Sequence, residues 1–244
     1  MAREEFDREL SNLESDLVVM AGMVEDALLR SLKALKERDL DQSQRVIELD
    51  DRIDGREVKI ELACVDLIRK EAPIASDLRR IITILQISSE LERMGDYAEG
   101  IAKINLMMGS EPLLKELIDI PKMGDLSVKM LKTSINVFME RNSEKARLIA
   151  STIHELDNKV DKLHSLVVRE LVNIVKKDSK TAESAIYLMW VSHNVERTAD
   201  RATNILERAY YQITGESFHG SVELQKHANL DNACLLYTSD AADE

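Results

Sequence analysis

Glycine and proline are scarce in this chain, at eight and three of 244 residues, and aromatic residues make up only 4%. So few turn-formers and strand-favouring side chains leave little room for a sheet, and the expected class is all-α. Two cysteines, Cys64 and Cys234, cannot build a disulfide framework, which fits a reducing cytoplasm. Long apolar runs are missing too. The longest near the start, Leu17 to Val24, is bounded by Asp16 and Glu25 and falls short of the roughly 20 residues that cross a bilayer. No secretory segment and no direct membrane insertion are therefore expected. Positive charge is also in short supply. A net charge of −12 argues against nucleic acid as a partner and favours cations or basic protein surfaces. The chain has no P-loop, no glycine-rich nucleotide fingerprint and no credible nucleophile–base pair, so no enzymatic activity of its own is expected.

What the chain does have is apolar periodicity. Leu10, Leu13, Leu17, Met20, Val24, Leu28 and Leu35 recur at three- and four-residue steps and predict an amphipathic helix from about Phe6 to Glu37. A polar break at Arg38-Asp39 precedes a second run through Val46, Leu49, Ile53, Ile60 and Leu67, stopped at Ala72-Pro73. Ser76-Asp77 offers a cap for a third helix through Ile81, Ile84, Ile87, Leu91, Met94, Ala98 and Ile101. Gly109, Pro112, Pro121 and Gly124 then gather into the one credible linker, placed at 109–122. Beyond it the pattern repeats, with turns at Arg141-Asn142 and Asp178-Ser179-Lys180 and a last helix ending near Gly215. The reading is two tandem repeats of an antiparallel three-helix bundle, 1–108 and 123–215. Residues 216–233 show no convincing period and read as a weakly ordered tail. Residues 234–244 look like the translation of a transposase adapter used in sequencing-library preparation, and are set aside as a scar. Without Asp240, Asp243 and Glu244 the charge goes from −12 to −9, and the argument from charge stands.

One motif occurs once in each half: Glu92-Arg93-Met94-Gly95-Asp96 and Glu196-Arg197-Thr198-Ala199-Asp200, 104 positions apart (196 − 92). Carboxylates four residues apart lie one helical turn from each other. The second helix of each unit carries its own pair, Asp50 and Asp54 in one, Asp157 and Asp161 in the other. Glu92 follows Leu85 and Leu78 at seven-residue steps, on a stripe bordering the apolar face, where a carboxylate is costly unless paired or bound to a cation. Antiparallel neighbours would bring the pairs together as hard oxygen ligands in one groove, suited to magnesium, manganese, calcium or iron. Two blander readings compete: a solvated face, or ion pairing in which Arg93 and Arg197 neutralise acids on adjacent helices. His164 and His193 share these faces but have no counterpart in the first unit, and read as polar helix residues rather than ligands.

The run Val46-Ile47-Glu48-Leu49-Asp50-Asp51-Arg52-Ile53-Asp54, then Ala72-Pro73-Ile74-Ala75-Ser76-Asp77-Leu78-Arg79, then the two E-R-x-x-D helices, resembles the PhoU family of phosphate-signalling regulators. The resemblance covers Phe6 to Gly215. It implies a cytoplasmic protein of two similar three-helix bundles, often a homodimer, that binds metal ions or clusters through E(D)-x-x-x-D motifs. Carried over by position, the ligands would be Asp50, Asp54, Glu92 and Asp96 in the first bundle and Asp157, Asp161, Glu196 and Asp200 in the second. Iron, manganese, magnesium or zinc are the candidate ions. The implied role is to repress the phosphate-starvation response, between the ATPase subunit of a phosphate ABC transporter and a sensor histidine kinase. One departure stands out: the family commonly has Asn four residues after the motif's Asp, as Asn204 follows Asp200, but Gly100 stands there in the first unit, which suggests a weaker first site. Two other classes stay open. A carboxylate-bridged di-metal oxygen-activating protein would use E-x-x-H pairs on facing helices, and Glu216 to His219, in the tail, is the one such pair here. A structural helical scaffold would need no metal at all.

Overall fold

In the computed structural model, which describes residues 3–216, six long helices make up nearly all of the described residues. They are α1 (Arg3–Glu37), α2 (Leu40–Glu71), α3 (Ala75–Met108), α4 (Asp119–Glu140), α5 (Ser143–Lys177) and α6 (Ala182–Thr214), with a single 3₁₀ turn at Ser179–Thr181. No strand occurs among the described residues. The tail beyond Glu216, with His219, His227 and Cys234, lies outside them. The apolar stripes read from the sequence are the core: Leu10, Leu17, Met20, Val24, Val46, Ile53, Ile81, Ile84, Ile87, Leu91 and Met94 are completely buried.

Each half is an up-down-up bundle. In the first, α2 runs antiparallel to α1 and α3, and in the second α5 runs antiparallel to α4 and α6. Parallel packing of α4 on α6 shows in its constant register, since the Ser127 hydroxyl donates to the Val195 carbonyl and Ser134 to that of Ala202. The two bundles join through α1 against α4 and α3 against α6. Among the described residues α2 and α5 make their main contacts within their own bundles. The resulting core is continuous across both halves.

Two helix starts differ from the sequence reading. Ser76-Asp77 does not cap α3; the cap position is Ile74, which makes no side-chain cap bond. Asp77 is engaged elsewhere, accepting from Arg3 Nη1 of α1 at 2.6 Å. The proposed linker 109–122 is also too long at its far end, because α4 begins at Asp119 and contains both Pro121 and Gly124. Proline is compatible with a first helical turn, where its missing N–H has no partner to lose. Gly124 is a contact point, since a Cβ there would stand 2.2 Å from Leu32 Cδ1 of α1. It is therefore a site of close helix approach, although glycine reads as a breaker in sequence.

Polar contacts fix the corners. Glu14 of α1 is 4% exposed and is held by Arg80 of α3 at 2.7 Å and by Arg141, in the α4–α5 turn, at 2.6 Å. Asn105 near the end of α3 donates to the Ala34 carbonyl and to Ser43 Oγ and accepts from Arg38, tying the α1–α2 turn to α3. Gly124→Val is expected to lower stability by about 1–3 kcal/mol through overpacking against Leu32. Urea unfolding of the double variant with Leu32→Ala should recover part of that loss, and an unchanged midpoint for Gly124→Val alone would show that the contact is slack.

Candidate metal centre

Antiparallel packing of α2 on α3 brings the first set of acids together. Asp50, Asp96 and Glu99 offer one carboxylate oxygen each within 4.8 Å of one another, and so do Asp54, Glu92 and Asp96. Asp96 belongs to both groups, so the acids form one continuous groove. The close approach depends on Gly95. A Cβ there would meet Asp50 Oδ1 at 2.8 Å and Ile53 Cγ2 at 3.2 Å, so a side chain at 95 would force the Asp50 carboxylate out of its present place.

Asp50 is 6% exposed, and its Oδ1 has no hydrogen-bond donor. Burial and the carboxylates of Asp54, Glu99, Asp96 and Glu92 push its acid form up to about 7. Burial, then Asp96, Asp54 and Glu57, push Glu92 up to about 7 as well, against a small opposing effect of Arg93. Asp54 and Asp96 are raised by burial first and by neighbouring acids second.

The second bundle assembles the same acids more loosely. Asp157 is partly buried with a donor-less Oδ1, and burial, Asp161, Asp200 and Glu196 push it up to about 6 against a small opposing effect of His154. Asp200 is raised by burial and by Glu196. Among the described residues, however, no three of these acids meet within the same 4.8 Å limit. His193 Nδ1 lies 3.2 Å from Glu196 Oε2, and His164 Nδ1 lies 2.8 Å from Ser192 Oγ. Both histidines thus stand beside the second site, bonded to side chains of α6.

Chemically, these are anionic oxygen donors, and the buried Oδ1 atoms of Asp50 and Asp157 have no hydrogen-bond donor. An unpartnered buried carboxylate is costly, and a hard cation with several oxygen ligands is the species that best removes the cost. The orphaned Asp50 and Asp157 oxygens therefore fit the ion that the sequence motifs suggest. The ion-pair alternative fails for Arg197, whose guanidinium lies over the Tyr97 ring at 4.5 Å on the α3–α6 contact. Asn204 is likewise engaged across that contact, where it donates to Glu90 Oε2 at 3.2 Å. Gly100 makes the equivalent contact in reverse, leaving room for Asn194, whose Nδ2 would be 2.9 Å from a Cβ there. The Asn204 and Gly100 difference is thus accompanied by a packing difference across the bundle contact. Sequence reasoning missed Glu99, although it lies three residues after Asp96 and seven after Glu92, on the same helical face.

A family model for the PhoU domain matches residues 17–104 and again 120–209. The chain belongs to the PhoU family. It is 33% identical over 224 residues to the phosphate-specific transport system accessory protein PhoU of Escherichia coli, covering 91% of each chain. A PhoU homolog of Aquifex aeolicus is 35% identical over 209 residues, 86% of this chain and 93% of that protein. Among solved structures, PhoU from Pseudomonas aeruginosa superposes with a TM-score of 0.80 at 30% identity, covering 86% of this chain and 100% of that one. The phosphate transport system regulatory protein PhoU from Streptococcus pneumoniae superposes at 0.77 and 32% identity, covering 87% and 98%. The duplicated family match coincides with the two bundles and with the two E-x-x-x-D helices.

Raised acids carry a sign. An unfolded carboxyl titrates near ~4, so between that pH and about 7 the folded chain holds protons at Asp50 and Glu92 that the unfolded chain has lost. Stability contributed by these groups therefore falls as pH rises through that window. Chelator-treated protein is expected to melt at higher temperature at pH 5 than at pH 8. Asp50→Asn should raise the pH 8 melting temperature and flatten the profile. A lower melting temperature for Asp50→Asn at pH 8 would contradict the assignment of Asp50 as an uncompensated buried acid.

Proposed function

We propose that this chain is a cytoplasmic, metal-binding accessory regulator of phosphate uptake. It acts on a phosphate transport system and represses the phosphate-starvation response, linking the ATPase subunit of the transporter to a sensor histidine kinase. The support for a transport role is the family and its relatives, which are accessory proteins of phosphate-specific transport systems. The observation that carries the metal reading is the buried Asp50 oxygen without a donor, set among Asp54, Glu92 and Asp96. Among the described residues no helix is long and apolar enough to cross a membrane, which accords with a protein that reaches its transporter from one side. Divalent or iron ions held by the two acidic grooves would neutralise the α2–α3 and α5–α6 contacts and set the shape presented to partners. The role is regulatory rather than catalytic.

The oxygen-activating alternative has the wrong ligand type. Its E-x-x-H pairs on facing helices are absent from α1–α6, where both grooves are lined by carboxylates.

Elemental analysis of the chain purified without chelator tests the metal reading. The comparison is a variant carrying Glu92→Gln, Asp96→Asn, Glu196→Gln and Asp200→Asn. At least one ion per bundle is expected in the parent and its loss in the variant, with helical circular dichroism intact. Negligible metal in both would leave the acids as a solvated face. The regulatory half is tested separately in cells lacking their own copy, where this chain should lower a phosphate-starvation reporter in high phosphate; an unaffected reporter would count against that half alone.

A further inference from the structure

The two grooves are not equivalent, and the difference lies outside the E-x-x-x-D motifs. Glu99, one turn beyond Asp96, places a carboxylate oxygen within 4.8 Å of those of Asp50 and Asp96. Its side chain is 17% exposed, and Lys103 Nζ of the same helix sits 2.5 Å from its Oε2. Lys103 is 56% exposed at the side chain and also feels the charges of Asp50 and Asp96, so a tethered ammonium stands at the rim of the groove. Beneath it is the donor-less Oδ1 of Asp50, the buried oxygen that no protein group satisfies. The repeat-equivalent positions in the second bundle, 104 residues on, are Thr203 and Glu207. The Thr203 hydroxyl donates to the Ala199 carbonyl of its own helix at 3.4 Å. Thr203 thus stands where the first groove has the acid Glu99, and an acid, Glu207, stands where it has the ammonium of Lys103.

We propose that Glu99 is an additional carboxylate ligand belonging to the first groove alone, and that Lys103 is a built-in competitor cation which a divalent metal displaces from it. This rests on the metal-binding reading above and specifies how one of the two sites works. Asp50 comes from α2 and Asp96 and Glu99 from α3, so a cation on this group is held by both helices. Lys103 neutralises part of the same charge from a long, exposed stem. Exposed ion pairs are weak, so the ammonium swings into solvent at little cost once a better cation arrives. A lysine carries one charge and no coordination geometry, whereas a divalent ion carries two charges and binds several oxygens at once. The first site thereby binds a divalent metal less tightly than its carboxylates alone would, and favours it over a monovalent cation that carries no more charge than the ammonium. The second, with no equivalent pair, is tuned differently.

Manganese(II) titration of the full chain, followed by the electron paramagnetic resonance signal of the free aqueous ion, tests this. Glu196→Gln and Asp200→Asn are installed throughout so that the first bundle alone reports. Glu99→Gln is expected to weaken manganese binding tenfold or more. Lys103→Gln should strengthen it threefold or more, an effect that disappears when Glu99 is also Gln. Both side chains lie at the edge of the groove, and circular dichroism is the check that each variant is folded. Affinities within twofold of the parent for both substitutions would remove Glu99 and Lys103 from the site. If Glu92→Gln with Asp96→Asn still abolished binding, the metal reading itself would survive that result. Weaker binding in Lys103→Gln would overturn the competitor role, and no manganese binding by the parent would overturn this inference and the metal reading together.

Discussion

The contact between Gly95 and Asp50 is the constraint on which the first groove depends. With no side chain at position 95, α2 comes close enough to α3 to put a carboxylate beneath it, against Ile53 and away from any hydrogen-bond donor. Apolar packing elsewhere holds the helices at that separation, since Ile53, Leu91 and Met94 around the contact are fully buried. Hydrophobic burial thus holds an electrostatically unfavourable arrangement in place, as functional sites commonly require. Among the acids it is Asp50 that α2 carries into a place where a carboxylate is unstable alone; Asp54 and Asp96 stay exposed.

The same scaffold treats its two halves differently. Both carry a donor-less buried aspartate oxygen, at Asp50 and Asp157. Only in the first do the acids converge in tight groups of three among the described residues. In the second, two histidines stand alongside, one of them beside Glu196. Duplication preserved the motif spacing while the surroundings diverged, so the halves present different electrostatic environments on nearly the same backbone.

Much of this was legible in the sequence because long helices write their buried face at a fixed period. Every apolar residue named for the first and third helices is buried, and the turns at Arg38-Asp39 and Arg141-Asn142 fall between helices. The eight motif acids could be named because the repeat marks them twice. What the sequence could not decide was the use made of glycine and of polar groups across the bundle contact. Gly124 reads as a breaker but admits Leu32, and Gly100 reads as a lost ligand but admits Asn194. Asp77 reads as a cap but pairs with Arg3. Each depends on a partner more than 70 residues away in the chain, and local pattern carries no information about such partners.

The α3–α6 contact holds a further consequence. Gly100 meets Asn194, and 104 positions on, Asn204 meets Glu90, which is the same contact with the halves exchanged. The register is centred on Gly95 and Ala199, so the two faces are built from equivalent positions and the interface is isologous. Such a contact has the form of one between two copies of a chain half this length. Covalent fusion of such a pair keeps the two-fold arrangement but frees each half to vary alone, which a symmetric dimer of identical chains can never do.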